Sequence, residues 1–272
     1  MKIRNIRIIN TVTFAGMIAI NALANILPMG IGTTGDVSAK YQNLFTPSPI
    51  TFIIWSMIYV FMGAYVLYSW GIFEKKEQSR KVSKKIGLWF PVTCILNGAW
   101  IFAWHYDVIW LSVILMAGLL VSLGIINNKL RTIEMNSVDK AAASAGFQVY
   151  FGWIIAATIA NISTFLVSIN WNGFGISPVV WTCIVISVGG IIGTVLAIAR
   201  GKYLPTLAII WAYAGILIRQ ISESGLGESY FSIILTTIIA ISVMVIGIFA
   251  AYVKNCSYQS ITGCHQCEYI GA

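Results

Sequence analysis

Read for its hydrophobic and polar positions, the chain is a succession of long apolar runs parted by short polar breaks. Eight runs approach the roughly 20 residues that a helix needs to cross hydrocarbon: residues 6–29, 51–73, 86–104, 108–126, 145–169, 178–199, 203–218 and 230–253. Their length predicts eight transmembrane helices. The third and fourth are separated only by His105, Tyr106 and Asp107, and the seventh is short, so these are the weakest boundaries. The fold class that follows is all-α, a polytopic integral membrane helix bundle.

Composition agrees and narrows the class. Of 272 residues, 58% are hydrophobic and 10% charged, and the mean hydropathy is +0.83. Soluble domains carry roughly a quarter charged residues, so this chain cannot clothe a water-facing surface of its size, and its solvent is lipid. The net charge of +8 does not point to nucleic acid, because the basic residues are not gathered on a polar domain. They lie in alternate breaks between the apolar runs: 15 of the 17 fall on one side, with only Lys40 and Arg219 on the other. That asymmetry, with an even helix count, predicts both termini in the cytoplasm and suits a bacterial cytoplasmic membrane. The first run also resembles a signal peptide, with a basic start and small residues at Ala22-Leu23-Ala24. Its length favours a retained helix.

Cys94 and Cys183 fall inside apolar runs, and no disulfide framework is implied. Cys256, Cys264, His265 and Cys267 in the tail contain one C-x-x-C pair, too little to specify a metal site against an unstructured or lipid-modified tail. No Ser-His-Asp or Cys-His set, paired carboxylates, phosphate-binding glycine loop or intramembrane metal ligands stand out.

Residues 30–49 form the longest external break, which is either a plain connector or a lid over a site between helices. We expect a lid, because it follows one site-forming helix and precedes another. Trp70, Trp89, Trp110, Trp171 and Trp181 lie near run ends, where an amphipathic ring suits the headgroup region. Trp55, Trp100 and Trp153 lie deeper, where an indole needs a partner for its N–H or a flat ligand against its face. The polar residues at depth are Asn21, Asn25, Asn97, Tyr150, Thr158 and Asn161, with no Asp, Glu, Lys or Arg at mid-depth. Ion-coupled pumps need ionisable groups there, so the pattern argues for a site of shape, aromatic faces and neutral hydrogen bonds.

Three segments have a recognisable form. The second run opens with Thr46-Pro47-Ser48-Pro49 and carries Trp55 and Tyr59; the third has Leu96, Asn97 and Trp100; the fifth has Tyr150, Trp153, Ala157, Thr158 and Asn161. Together they resemble the TspO/MBR family, the tryptophan-rich sensory and translocator proteins, over residues 6–170. The resemblance implies a five-helix core, residues 1–170, that binds tetrapyrroles, sterol-like or synthetic hydrophobic ligands, with light-dependent porphyrin breakdown proposed for relatives. Two features depart from it. The Trp usual after the prolines is replaced by Ile50-Thr51, and the chain continues through a three-helix extension, residues 171–255, before a tail of residues 256–272.

Spacing gives the same residues a physical sense. Positions three or four apart share a helical face, so Trp55 with Tyr59, Asn97 with Trp100, and Trp153 with Ala157 each form one face, Asn161 following two turns beyond Trp153. Three such faces under a lid would make an aromatic cleft suited to a planar, poorly soluble ligand. The competing reading is that the same residues are helix-packing contacts. In the extension, Leu207, Tyr213 and Arg219 fit a loose sterol motif that arises readily by chance. Gly189 and Gly193 are a small-x-x-x-small pair, either a homodimer face or packing within one chain. The sequence therefore predicts a receptor, sensor or translocator whose partners are the bilayer and a hydrophobic small molecule such as porphyrin, with no nucleic acid and no resident cofactor beyond a tetrapyrrole as ligand. Its ligand site comprises Trp55, Tyr59, Asn97, Trp100, Tyr150, Trp153, Ala157, Thr158 and Asn161. A porphyrin-degrading membrane enzyme and a structural subunit are the alternatives.

Overall fold

In the computed structural model of the chain, residues 2–27, 30, 32–73, 76–200, 203–223 and 225–262 are described, and among them no strand forms. The apolar runs become helices α1 (Ile3–Ile26), α3 (Ile54–Ser69, entered through a 3-10 turn, Pro49–Ile53), α5 (Trp89–His105), α6 (Ile109–Leu130), α8 (Gly146–Ser168), α9 (Pro178–Arg200), α10 (Tyr203–Ile221) and α11 (Phe231–Thr262). Among the described residues, seven spans are long and apolar enough to cross a membrane. The eighth is α5, only 17 residues long, which reaches spanning length with α4 (Lys76–Ile86), bent 55° away from it. The outward sides of α9 and α11 expose Ile191, Val195, Ile246 and Phe249, as lipid-facing helices do.

Two polar breaks hold helices that the apolar pattern does not register. The basic break after the second run holds α4, which buries Val82 and Ile86 while Lys81, Lys84 and Lys85 face outward. The external break contains α2 (Thr34–Lys40), started by a capping box in which Asp36 N donates to Thr33 Oγ1 and Thr33 N donates to Asp36 Oδ2. Reciprocal caps of this kind let a seven-residue polar helix form where propensity alone would not.

The first five spanning helices close a ring in the order α1, α3, α8, α6, α5. The three later helices form a second bundle in which α9 lies along α11, and α10 bridges both to the ring by packing on α8 and on the 3-10 turn. Two glycines permit this docking. A side chain on Gly152 would collide with the Pro205 backbone, and one on Gly215 would collide with Thr51. Gly189 and Gly193 face Tyr213 and Met244 of the same chain, so this pair is used for packing between α9 and its neighbours. Cys94 and Cys183 are unpaired.

The two ends of the bundle differ in charge. At one end lie α4, the α6–α8 connection with its single-turn helix α7 (Ser137–Asp139), and the start of α1, tied by Lys129 Nζ donating to Lys85 O at 3.1 Å and by Arg7 over the Trp70 ring at 5.8 Å. Buried Asp139 is satisfied there by Tyr68 at 2.6 Å and Gln78 at 2.9 Å. The opposite end carries α2, the α5–α6 turn, Lys40 and Arg219.

Candidate functional site

Trp55, one helical turn before Tyr59, is the hub of an aromatic cluster inside the ring. Its ring centroid lies 5.8 Å from that of Tyr59 and 6.1 Å from that of Trp100, both stacked, and meets Tyr150 and Trp153 edge-on at 5.8 and 6.0 Å. Trp100 stacks in turn on Trp104 at 5.5 Å, and Phe52 meets Trp153 at 6.1 Å. These separations and angles are the favoured geometries of aromatic pairs.

A linear polar chain joins this cluster through Tyr59 and Tyr150. Tyr59 Oη donates to Asn21 Oδ1 at 2.6 Å, Asn21 Nδ2 donates to Asn97 Oδ1 at 2.8 Å, and Asn97 Nδ2 donates to Tyr150 Oη at 3.0 Å. Four helices, α1, α3, α5 and α8, are stitched together by it. The structure thus places Tyr59, Asn97 and Tyr150 in a bonded network, with Asn21 as its fourth member. Asn21 is legible in the sequence as a polar residue at depth, but its partners are 38 and 76 residues away.

Trp55, Trp100, Trp153, Ala157 and Asn161 instead border a cavity of about 50 Å³. Its floor is the small-residue face Ala156, Ala157 and Ala160 of α8. Among the described residues, three buried N–H donors at this cavity have no partner: Trp100 Nε1, Trp153 Nε1 and Asn161 Nδ2. The amide oxygen of Asn161 lies 3.1 Å from Ser112 Oγ, whose single proton is shared with the nearer Ile109 O at 2.7 Å. Unpaired buried donors are costly and each calls for an explanation. Thr158 lies on another face of α8, its hydroxyl bonded back to Ile154 O at 2.6 Å, a common state for Thr within a helix.

The external segment roofs this cavity, supplying Thr34, Ser38, Phe45 and Pro47. It is pinned from two sides. Toward α5, Trp104 Nε1 donates to Thr34 O at 3.1 Å, Thr34 Oγ1 meets His105 Nε2 at 3.2 Å, and Asp107 binds Lys40 in a salt bridge and Tyr41 Oη at 2.8 Å. Toward α10, Ser48 N donates to Gly215 O at 2.9 Å, Arg219 donates to Thr46 O at 3.1 Å, and Gln220 Nε2 donates to Leu44 O at 2.9 Å. Backbone and side-chain hydrogen bonds from Thr33 hold the Asp36 carboxyl below its usual range, and the bond to Asp107 raises the Lys40 ammonium. Helix α10 also closes one wall of the cavity with Ala212 and Ile216. Sequence reading missed these residues because a small or aliphatic side chain in a helix carries no local mark of what it faces.

A family model described as TSPO-like protein matches residues 7–250. The chain belongs to the TSPO-like family. The match runs through α9, α10 and α11 as well as the five ring helices, so the matched pattern includes the helix that completes the cavity. No curated protein and no solved structure matches the chain. As a family member the protein is a membrane protein of the sensor or translocator type. Among the described residues no group of three or more His, Cys, Asp and Glu side chains could hold a metal; the tail side chains Cys256, Cys264, His265 and Cys267 lie outside them. The sterol-motif residues do not share a surface: Leu207 is exposed, whereas Tyr213 is buried with its hydroxyl donating to Ile186 O at 2.7 Å.

Proposed function

We propose that the protein binds a planar hydrophobic ligand, tetrapyrrole or sterol-like, in the cleft between the ring helices, as a receptor, sensor or translocator of the bacterial cytoplasmic membrane with both termini in the cytoplasm. The observation that carries this reading is the set of three unpartnered donors, Trp100 Nε1, Trp153 Nε1 and Asn161 Nδ2, around one aromatic-walled cavity. Such a site favours a flat apolar body that presents oxygen or nitrogen acceptors, because each acceptor removes a standing desolvation cost. The cavity of about 50 Å³ is far below the roughly 300 Å³ of a drug-sized site, so binding is coupled to lifting the roof and parting Trp55 from Trp100. The two-sided pinning of that roof by polar bonds, with no disulfide, supports a lid that opens. The separation of basic and lid-bearing ends supports the orientation.

The test is a titration of the purified protein with protoporphyrin, read by tryptophan fluorescence quenching. Saturable quenching that weakens in Trp100→Phe, Trp153→Phe and Asn161→Ala supports the site; wild-type affinity in all three refutes it. Steady illumination of the same samples separates binding from breakdown, since a receptor leaves the porphyrin absorbance unchanged.

A further inference from the structure

A second cavity, of about 440 Å³, lies at the lid-bearing end where α8, α9 and α10 meet. Its volume falls within the roughly 300 to 1,000 Å³ of established small-molecule sites. Its walls are mixed: Leu166 and Val167 from α8, Val185 from α9 and Leu226 from the α10–α11 connection form an apolar side, and Gln42, Asn43, Ser163, Asn172 and Thr182 add polar groups. Trp171 and Trp181, with centroids 5.2 Å apart, stand at its edge, and exposed Phe174 packs on Trp171 at 5.3 Å. A cluster of this kind marks the headgroup level of a bilayer. Among the described residues one cation faces the cavity: Arg219, half-buried, donating to Thr46 O. Among the described residues no carboxylate forms a salt bridge with it. A partly buried guanidinium without an anion is an expensive feature near a membrane, and its planar fork matches carboxylate and phosphate.

We infer that this cavity is a second ligand site, taking an amphiphile with a long apolar chain along Leu166, Val185 and Leu226 and a single anionic head on Arg219. The shared chemistry is the anionic head; a free long-chain carboxylate and a lipid phosphate are its two sources. The site is distinct from the aromatic cleft and does not rest on what that cleft binds. Phe45 stands in the wall of both cavities, and Arg219 holds the neighbouring Thr46, so an occupant here borders the lid.

The test uses the full chain in phosphatidylcholine nanodiscs with three diazirine-bearing long-chain probes, a carboxylate, a phosphate monoester and the uncharged alcohol, with the labelled peptides mapped by mass spectrometry. Saturable labelling near Val185 and Leu226 by an anionic probe is expected. Labelling should fall about tenfold in Arg219→Gln and be largely retained in Arg219→Lys, since truncating one partner of a partly desolvated charge pair has effects of that order. Val185→Trp fills the cavity while keeping Arg219 and its bond to Thr46, and should abolish labelling even if Arg219→Gln disturbs the lid. Stronger labelling by the carboxylate assigns a fatty-acid-like ligand, and stronger labelling by the phosphate a lipid headgroup; either supports the site. Equal labelling by the alcohol, labelling unchanged in Val185→Trp, or protection by inorganic phosphate as effective as by the unlabelled amphiphile would overturn it.

Discussion

Two polar regions lie within a few turns of each other inside the ring and solve the same problem in opposite ways. In the network of Asn21, Tyr59, Asn97 and Tyr150, successive amide and hydroxyl groups find one another across four helices. In the cleft, Trp100, Trp153 and Asn161 keep buried donors without a protein partner. The first arrangement is what helix association in a membrane uses, since interhelical hydrogen bonds supply part of the attraction that hydrophobicity cannot. The second lowers stability and is worth keeping only where something else supplies the acceptors. Residue type therefore does not separate structural from ligand-facing positions here; pairing does.

That contrast yields graded tests. The largest effect is expected from Gly215→Val, which forces α10 away from Thr51 and should cost about 3 kcal/mol by overpacking. Because α10 carries Ala212 and Ile216 of the cleft wall, porphyrin affinity should fall with it, read by thermal melting and quenching on the same sample. A stable variant with wild-type affinity would show that α10 is no part of the site.

Next comes Asn97→Ala. It removes one acceptor from Asn21, which keeps Met17 O and Tyr59, and strands the Tyr150 hydroxyl, so thermal stability should drop by about 1 to 2 kcal/mol, with or without ligand. Affinity should hold, since Asn97 does not border the cavity. A selective loss of affinity instead would move the network into the site.

Smaller still is the effect of Trp100→Phe or Trp153→Phe, where the lost N–H has no protein partner. Melting should scarcely move, while the Kd should rise about fivefold, equivalent to about 1 kcal/mol. Parallel loss of stability with unchanged Kd would make these rings plain core.

The mildest change is Lys40→Gln, which removes the exposed salt bridge to Asp107. Faster ligand dissociation is expected with no shift in melting, read by stopped-flow quenching. Its pH dependence follows from the two shifted groups. The lowered Asp36 contributes above the ordinary carboxylate range and loses that contribution as pH falls through its depressed value. The raised Lys40 contributes below the ordinary lysine range and loses that contribution as pH rises through its elevated value. Dissociation should therefore be flat through neutrality and accelerate toward either extreme, the alkaline limb vanishing in Lys40→Gln.

By itself the sequence determined the class and the helix pattern. Long apolar runs have one stable outcome in lipid, because a spanning segment must satisfy its backbone internally, and the spans start within about four residues of the apolar runs that predicted them, well within the uncertainty of such boundaries. It also marked the aromatic and amide positions of α3, α5 and α8, since Trp and Asn at membrane depth are rare enough to be noticed. Helix α2 left a local trace in Thr33 and Asp36, but its capping box lies in a stretch whose composition reads as a connector. Only the tertiary structure decided which of these residues pair and which remain open. Asn97 and Asn161 are the same residue type in similar helices, and their difference lies in Tyr150 and Asn21 on one side and in Ser112 and the cavity wall on the other. The docking of α10 was likewise beyond local reading. It depends on Gly152 and Gly215 meeting Pro205 and Thr51, contacts between distant segments whose energy comes from close packing, and packing has no periodicity along the chain from which it could be read.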